Sequence, residues 1–504
     1  MKNVPAVGPV ARLPLTPFIA EILSRDYFNM KILFIDPPYI NFEGIKESGG
    51  HMLPLSFGYL AAYARKKIPG LEFEVLDCEV EGLDYQQIKK RIEGTRPDIV
   101  GMTAPTPPMK HVYKISEIVK EIYPNVPIVL GGLHPTVLPE RTMKDGEKID
   151  FIIIGEGEVT FVELLQALKS NRKEFSDIAG LGWRKDGKIV INKRRELMPD
   201  LDEIPLPARD IFNLKLYYPP PTKKVSEENT TPIVTSRGCP FNCIHCIPRI
   251  LWQGCVRYRS ADNVVAEIEE CVNKYNLREF YFCDEIFTVN KKRAIEICNK
   301  IIEKKIRIYW ICFSRANTID SELVRVLKKA GCRKITIGLE SGSQKILDLM
   351  RKNTTVQQGR KAVEIIRKEG VEVYGNFMLG NIGETVETIK ETINFAKSLD
   401  LDNATFFITS PFPGTDLYQI AQKLDHIDQN TPWEAFAPLT NQKPILVQNN
   451  LTGEDLIYWQ KKAFRQFYLR PRYIYKKLRQ IRGVEGIKFL FRGVKILLEI
   501  LFKK

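Results

Sequence analysis

No stretch of about 18 uncharged apolar residues occurs anywhere in the chain, so no segment reads as a bilayer-spanning helix. The N-terminus also lacks a continuous apolar core followed by a small-residue cleavage site, which argues against a secretory signal. No G-x-G-x-x-G follows the first strand-like run, which disfavours a nicotinamide or flavin nucleotide there. Nor does cysteine form a disulfide framework. There are ten in 504 residues, and Cys271, Cys283, Cys298 and Cys312 sit inside apolar segments, as expected of a protein kept in a reducing cytoplasm.

What is present is ordinary for a globular protein: 44% apolar and 27% charged residues, on a chain long enough for two to four cores. The net charge of +14 is uneven. Residues 451–504 hold 14 Lys/Arg and 4 Asp/Glu, a balance of +10 that leaves +4 for the other 450 residues. Basicity is a property of the tail. It predicts an anionic surface met there and argues against nucleic acid as a partner of the whole chain.

Residues 1–29 show little periodicity and read as an N-terminal arm, with Met30 as an alternative start. From 30 to 172, strand candidates at Ile32–Ile35, Phe73–Leu76, Ile99–Thr103, Ile128–Leu130 and Phe151–Ile154 alternate with helix candidates at 56–67, 85–93, 109–122, 137–144 and 159–169. That alternation predicts a doubly wound, flavodoxin-like parallel sheet, which binds ligands at the carboxyl ends of its strands. Those ends hold Asp36-Pro37-Pro38, Thr103, Gly131-Gly132-Leu133-His134-Pro135-Thr136 and Gly155-Glu156-Gly157-Glu158. Glycines let backbone approach a ligand closely, while the plainer alternative is tight turns without a ligand. Residues 173–225 read as a linker with a hairpin around Asp186-Gly187.

Between 226 and 425 alternation resumes, with strands at 232–235, 279–283, 308–313, 334–338, 371–379 and 403–409. Six βα units predict a partial (β/α)6 barrel with functional residues at the strand carboxyl ends. The loop after the first of these strands is Gly238-Cys239-Pro240-Phe241-Asn242-Cys243-Ile244-His245-Cys246. Three thiols from one short run suit an iron–sulfur cluster with one iron left open for a small molecule. A structural zinc with Cys255 or His245 as fourth ligand is the alternative.

This CxxxCxxC loop after a β-strand resembles the signature of the radical S-adenosylmethionine (SAM) superfamily. The resemblance implies a [4Fe-4S] cluster on Cys239, Cys243 and Cys246, which are also the catalytic residues, and a 5′-deoxyadenosyl radical made from SAM. SAM contacts implied by position are His245 in the loop, Asp284 and Glu285 after the second strand, Arg315 after the third, Glu340 and Ser341 after the fourth and Gly380 after the fifth. The glycine-rich ends of the first domain resemble the B12-binding domain of cobalamin-dependent relatives. That likeness implies cobalamin contacts at Pro37, Pro38, Thr103, Gly131, Gly132, His134, Thr136, Gly155, Glu156 and Gly157. No Asp-x-His-x-x-Gly is present in this domain, so cobalamin is expected without a protein His on cobalt.

Residues 426–504 read as a helical basic tail. Tyr458, Trp459, Phe464, Phe467, Tyr468, Tyr473 and Tyr475 lie among Lys/Arg, as a cap packed on the barrel would have them. Further on, Lys488, Arg492, Lys495 and Glu499 form one narrow polar stripe on a broad apolar helix, which fits peripheral membrane contact or packing on another domain. The resemblance implies an enzyme that methylates an unactivated carbon, with a reductant such as flavodoxin or ferredoxin, and the tail points to a small hydrophobic substrate (lipid, isoprenoid or tetrapyrrole). Oxidative ring closure of the anaerobic tetrapyrrole cyclase type is the alternative. From other classes come a tRNA-modifying enzyme, for which no separate basic RNA module follows the barrel, and a non-catalytic metal-binding protein.

Overall fold

The structure is a computed structural model describing residues 30–480 apart from 39–49, 221–222, 227, 429, 438–443 and 449–450. The N-terminal arm and the helix expected over 487–502 lie outside the described residues.

The first sheet is built from β1 (Met30–Asp36), β2 (Leu71–Asp77), β3 (Ile99–Thr103), β4 (Ile128–Gly131) and β5 (Phe151–Ile153), parallel and in the order 2-1-3-4-5. That is the flavodoxin-like order. Both faces are covered, because alternate residues of β1 enter different cores: Ile32 and Phe34 on one side, Leu33 and Ile35 on the other.

Two features differ from the sequence reading. The hairpin β6 (Leu181–Lys185) and β7 (Lys188–Ile191) is not part of a free linker but extends this sheet, β6 pairing antiparallel with β5. Asp186 and Gly187 both take positive φ, as a tight hairpin turn requires. Trp183 is thereby buried, edge-on to Phe175 at 5.2 Å, and this apolar face is what draws the hairpin in. The helix expected over 137–144 is two helices, Leu133–Val137 and Pro139–Asp145. Pro139 disfavours helical backbone at the residue before it, and Leu138 leaves the helical region at φ −136, ψ 57.

The second sheet has six parallel strands in the order β15-β14-β13-β12-β11-β8: β8 (Thr230–Ile233), β11 (Glu279–Phe282), β12 (Tyr309–Ser314), β13 (Cys332–Glu340), β14 (Glu372–Leu379) and β15 (Asn403–Ile408). It is the expected partial barrel, open between β8 and β15. A two-stranded ribbon, β9 (Ser236–Arg237) with β10 (Arg257–Tyr258), closes the base of the cysteine loop. The helix Gly453–Tyr468 caps the open side at β15, burying Trp459, Phe464 and Phe467 in the barrel core. It also satisfies the edge strand: Tyr468 donates to the Ala404 carbonyl at 2.7 Å and Gln460 to the Phe406 carbonyl at 2.8 Å.

Candidate active site

The cysteine loop leaves β9 through Gly238, whose φ is +116. A Cβ there would stand 2.0 Å from the Cys255 carbonyl oxygen, so only glycine lets the loop fold back on its own base. Further along, Ile244 is pinned from both sides, its N–H donating to Met350 O at 3.1 Å and its carbonyl accepting from Leu417 N at 2.9 Å. A fixed base and a fixed middle constrain the segment that carries the three thiols.

Cys239 and Cys243 are half-buried and Cys246 is accessible. Burial pushes the Cys239 thiol up, and nearby Cys243 adds to that. Cys246 is pushed up to about 12 by burial, with Cys243 and Cys239 adding to the shift. A cationic centre reverses what holds the Cys239 and Cys246 thiols protonated, so the three thiols suit one as donors. Among the described residues no group of three His, Cys, Asp or Glu side chains is gathered that could hold a single metal ion. A cuboidal cluster has its irons at separate corners, so its thiolates need not converge on one point. The residues present fit such a cluster on Cys239, Cys243 and Cys246.

Arg315 brings a positive charge to the loop. Its Nη1 lies 3.6 Å from the Cys243 sulfur and its guanidinium stacks 3.8 Å from the Phe241 ring centroid. Its Nε and Nη2 are buried with no partner among the described residues, two donors left to a ligand. A carboxylate such as that of the SAM methionine answers both. His245 Nδ1 is likewise buried without a partner, and burial pushes the imidazole down to about 4, so it is neutral.

The other expected SAM contacts divide. Glu340 ends β13 at φ +59, a backbone strain for a non-glycine residue, beside a register shift against β14. Its carboxylate is paired at 2.6 Å with Lys352, a buried residue that sequence reasoning missed. Glu285 accepts from Gly238 N at 3.2 Å and Trp252 Nε1 at 2.5 Å, bracing the loop. Asp284 is turned away from any ligand: it is fully buried and its oxygens accept from Thr235 N at 2.6 Å, Ser236 N at 3.0 Å and the Thr235 hydroxyl. It anchors the strand before the loop. Ser341 is equally internal, bonded to the Thr392 hydroxyl at 2.9 Å and accepting from Ser343 N at 3.1 Å. Gly380, at φ +83, turns the chain while its N–H donates to Glu384 at 3.1 Å.

The carboxyl ends of the first sheet face this loop. The helix Leu133–Val137 rests on the helix Pro248–Leu251 of the cysteine loop. Arg194 donates to the carbonyls of Ile250 and Leu251 at 3.0 and 2.8 Å beside Gly155. Pro37 and Pro38 are buried at the end of β1. Among the described residues only the Met102 carbonyl, at 4.0 Å, comes near where a Cβ on Gly131 would be. Gly132 is different, at φ +97 with its Cβ position 2.6 Å from the Thr103 hydroxyl, and Gly157 packs on Leu60.

His134 is fully buried, shares a 3.2 Å hydrogen bond with Thr106 through Nδ1, and meets the Trp433 ring edge-on at 4.7 Å. Its Nε2 has no partner among the described residues, and burial depresses the imidazole to about 3. Thr136 is spent internally, donating to Gly132 O at 2.7 Å and accepting from Gly155 N at 3.0 Å. Glu156 is not a free contact either. It pairs with Arg237 at 2.5 Å and Arg257 at 2.8 Å, tying the sheet to the base of the cysteine loop. The open backbone at Gly131 and the unpartnered Nε2 of His134 fit a large planar cofactor; Thr136 and Glu156 act as scaffold.

Comparison with known proteins agrees with this architecture. A model of the radical SAM superfamily matches residues 233–396 and one of the B12 binding domain matches 44–165. An uncharacterized methyltransferase of Pyrococcus horikoshii is 36% identical over 466 residues, 92% of this chain and 98% of its own. The anaerobic magnesium-protoporphyrin IX monomethyl ester cyclase of Rubrivivax gelatinosus is 30% identical, covering 88% of this chain and 78% of its own. Among solved structures, the radical SAM methyltransferase TsrM of Kitasatospora setae, with cobalamin and a [4Fe-4S] cluster bound, aligns with TM-score 0.67 at 18% identity over 88% of this chain and 86% of that one. The cobalamin-dependent enzyme OxsB aligns at 0.70 and 18% over 96% and 73%. With the cysteine loop, the order of both sheets and full-length relatives in agreement, the chain belongs to the radical SAM superfamily, in the family that carries a B12-binding domain ahead of the barrel.

Proposed function

We propose that this radical SAM enzyme is a methyltransferase that places a methyl group on an unactivated carbon of a small hydrophobic substrate such as a tetrapyrrole, isoprenoid or lipid. When bound, the reduced cluster supplies the electron that cleaves SAM, and cobalamin supplies methyl-transfer chemistry. The chain's own part is placement. Cys239, Cys243 and Cys246 hold the cluster, and Arg315 orients the SAM carboxylate through Nε and Nη2. The Glu156 ion pairs keep the two sheets' ligand-binding edges in register. The observation that carries the reading is the opposition of those edges: Val137 of the first domain and Ile250 of the cysteine loop both meet Gly414 after β15, 3.0 and 3.5 Å from its Cβ position. A cofactor on one edge therefore looks onto the cluster loop on the other.

The relatives named as cyclases favour oxidative ring closure as the second reading. Anaerobic reconstitution with iron and sulfide, followed by a reductant (flavodoxin, ferredoxin or a chemical one) and SAM with and without cobalamin, separates them. S-Adenosylhomocysteine formed only with cobalamin supports methyl transfer. 5′-Deoxyadenosine with a tetrapyrrole ester oxidised and no S-adenosylhomocysteine supports the cyclase. Zinc without acid-labile sulfide removes both.

A further inference from the structure

At the opposite end of the barrel from the cysteine loop, the helix Pro471–Gln480 is oriented against the usual rule. A surface helix turns its apolar stripe inward. Here the inward face carries one aromatic, Tyr473, whose ring meets Phe467 and Tyr468 at 5.5 and 5.1 Å, and is otherwise held by polar contacts: Tyr473 donates to the Asp402 carbonyl at 3.0 Å, and Lys476 pairs with Asp400 at 3.0 Å and Asp402 at 2.9 Å. At 100° per residue the face turned away from these holds Ile474, Tyr475 and Leu478, exposed at 43, 62 and 53%, with Leu469 at 51% just before the helix. Arg472 and Arg479 flank this apolar stripe and are themselves exposed.

Beside it lies a groove of ≈ 450 Å³ lined by Arg367, Lys397, Arg470, Arg472, Lys476 and Arg479, with Asp400 as its acidic member. Apolar side chains flanked by cations, next to a cationic groove, are what an anionic phospholipid interface rewards. The apolar groups enter the acyl boundary and the cations meet phosphate. The sequence that follows continues in kind, residues 481–504 carrying six Lys/Arg and two Asp/Glu among thirteen Ile, Val, Leu and Phe. Among the described residues no helix is long and apolar enough to cross a membrane.

We infer that this surface docks the enzyme on anionic phospholipid bilayers. Its place in the fold gives the contact a definite sense. Leu399–Leu401 line the groove just before β15 begins, whereas the cysteine loop lies beyond the carboxyl ends of the strands. Six residues of β15 at ~3.3 Å each put about 20 Å between the two ends. The bilayer is thus a tether, and the catalytic mouth faces away from it.

Flotation of the full chain with phosphatidylcholine vesicles, with and without phosphatidylglycerol, tests this. Binding is expected only with phosphatidylglycerol and is expected to fall with salt. Arg472→Ala with Arg479→Ala is expected to weaken partitioning roughly 30-fold, and Ile474→Glu with Leu478→Glu to abolish it. All four positions are exposed and far from the cysteine loop, so iron and sulfide content are expected to match the parent protein. Flotation equal to the parent in both double variants overturns the inference. So does loss of flotation that light scattering traces to a second copy of the chain on this face, or retention on tRNA in preference to the vesicles.

Discussion

Arg237 precedes the turn into the cysteine loop by one residue, and its Nη1 lies 2.5 Å from Oε1 of Glu156 at the carboxyl end of the first sheet. Its Nη2 reaches Glu158 at 2.5 Å, and Arg257 across the ribbon returns to Glu156 at 2.8 Å. One buried carboxylate therefore couples both strands of the ribbon to the cofactor-binding edge. Burial alone would raise the Glu156 carboxyl, and the two guanidinium groups reverse that and hold it below its ordinary value.

Breaking this network by removing one partner leaves uncompensated buried charge, which costs about 3–5 kcal/mol. Arg237→Met is expected to lose that much in urea unfolding, whereas Glu156→Gln, which keeps an acceptor and the shape, is expected to lose less. A Met variant as stable as the parent would show the network to be incidental.

Gly238→Ala addresses the loop without touching a thiol. At φ +116, with the Cys255 carbonyl 2.0 Å from the new Cβ, the ribbon must open for the side chain to fit. Iron and sulfide bound after reconstitution are expected to fall several-fold, while the far-ultraviolet circular dichroism stays at the parent level. Full cluster occupancy in the Ala variant contradicts the geometry.

Much of this fold was legible because sheets covered on both faces read as continuous apolar runs separated by amphipathic helices. The strand Ile99–Thr103 and the helix Met109–Ile122 stand where periodicity places them. The cysteine loop was legible because its chemistry is local. Carboxylate roles were not, since Glu156 and Glu158 find their partners 81, 101 and 79 residues away and nothing near them in the chain announces an arginine. Asp284 followed its strand as expected, but only the fold shows its oxygens turned back onto Thr235 and Ser236. Lys352 was invisible for the same reason; Arg351 and Asn353, both at positive φ, turn it inward to Glu340.

His134 makes stability depend on pH. Burial depresses its imidazole from 6.5 to about 3, with Arg141 adding to the shift. Between those values the unfolded chain binds a proton that the folded one does not, so its contribution is complete above pH ~6.5 and is lost as pH falls toward 3. The slope is about 1.4 kcal/mol per pH unit at most. Urea unfolding at stepped pH is expected to show this slope in the parent and a shallower one in His134→Gln. Parallel curves would mean that the ring is solvated in solution.

Arg315 offers the sharpest test of the site. Stacking on Phe241 fixes the guanidinium plane, and proximity to Cys243 fixes its edge, so Nε and Nη2 have one direction left in which to donate. A lysine keeps the charge but has neither the fork nor the plane, so it is not expected to rescue the function. Losing a hydrogen bond to a charged group costs about 1.5–3 kcal/mol, which is roughly 10- to 150-fold in affinity. Calorimetric titration of the reconstituted protein with SAM is expected to show that loss in Arg315→Lys and at least as much in Arg315→Met, with iron and sulfide unchanged. Unchanged SAM affinity with an intact cluster would transfer those two buried donors to a substrate anion. In that case KM for the substrate, and not the Kd for SAM, would carry the effect.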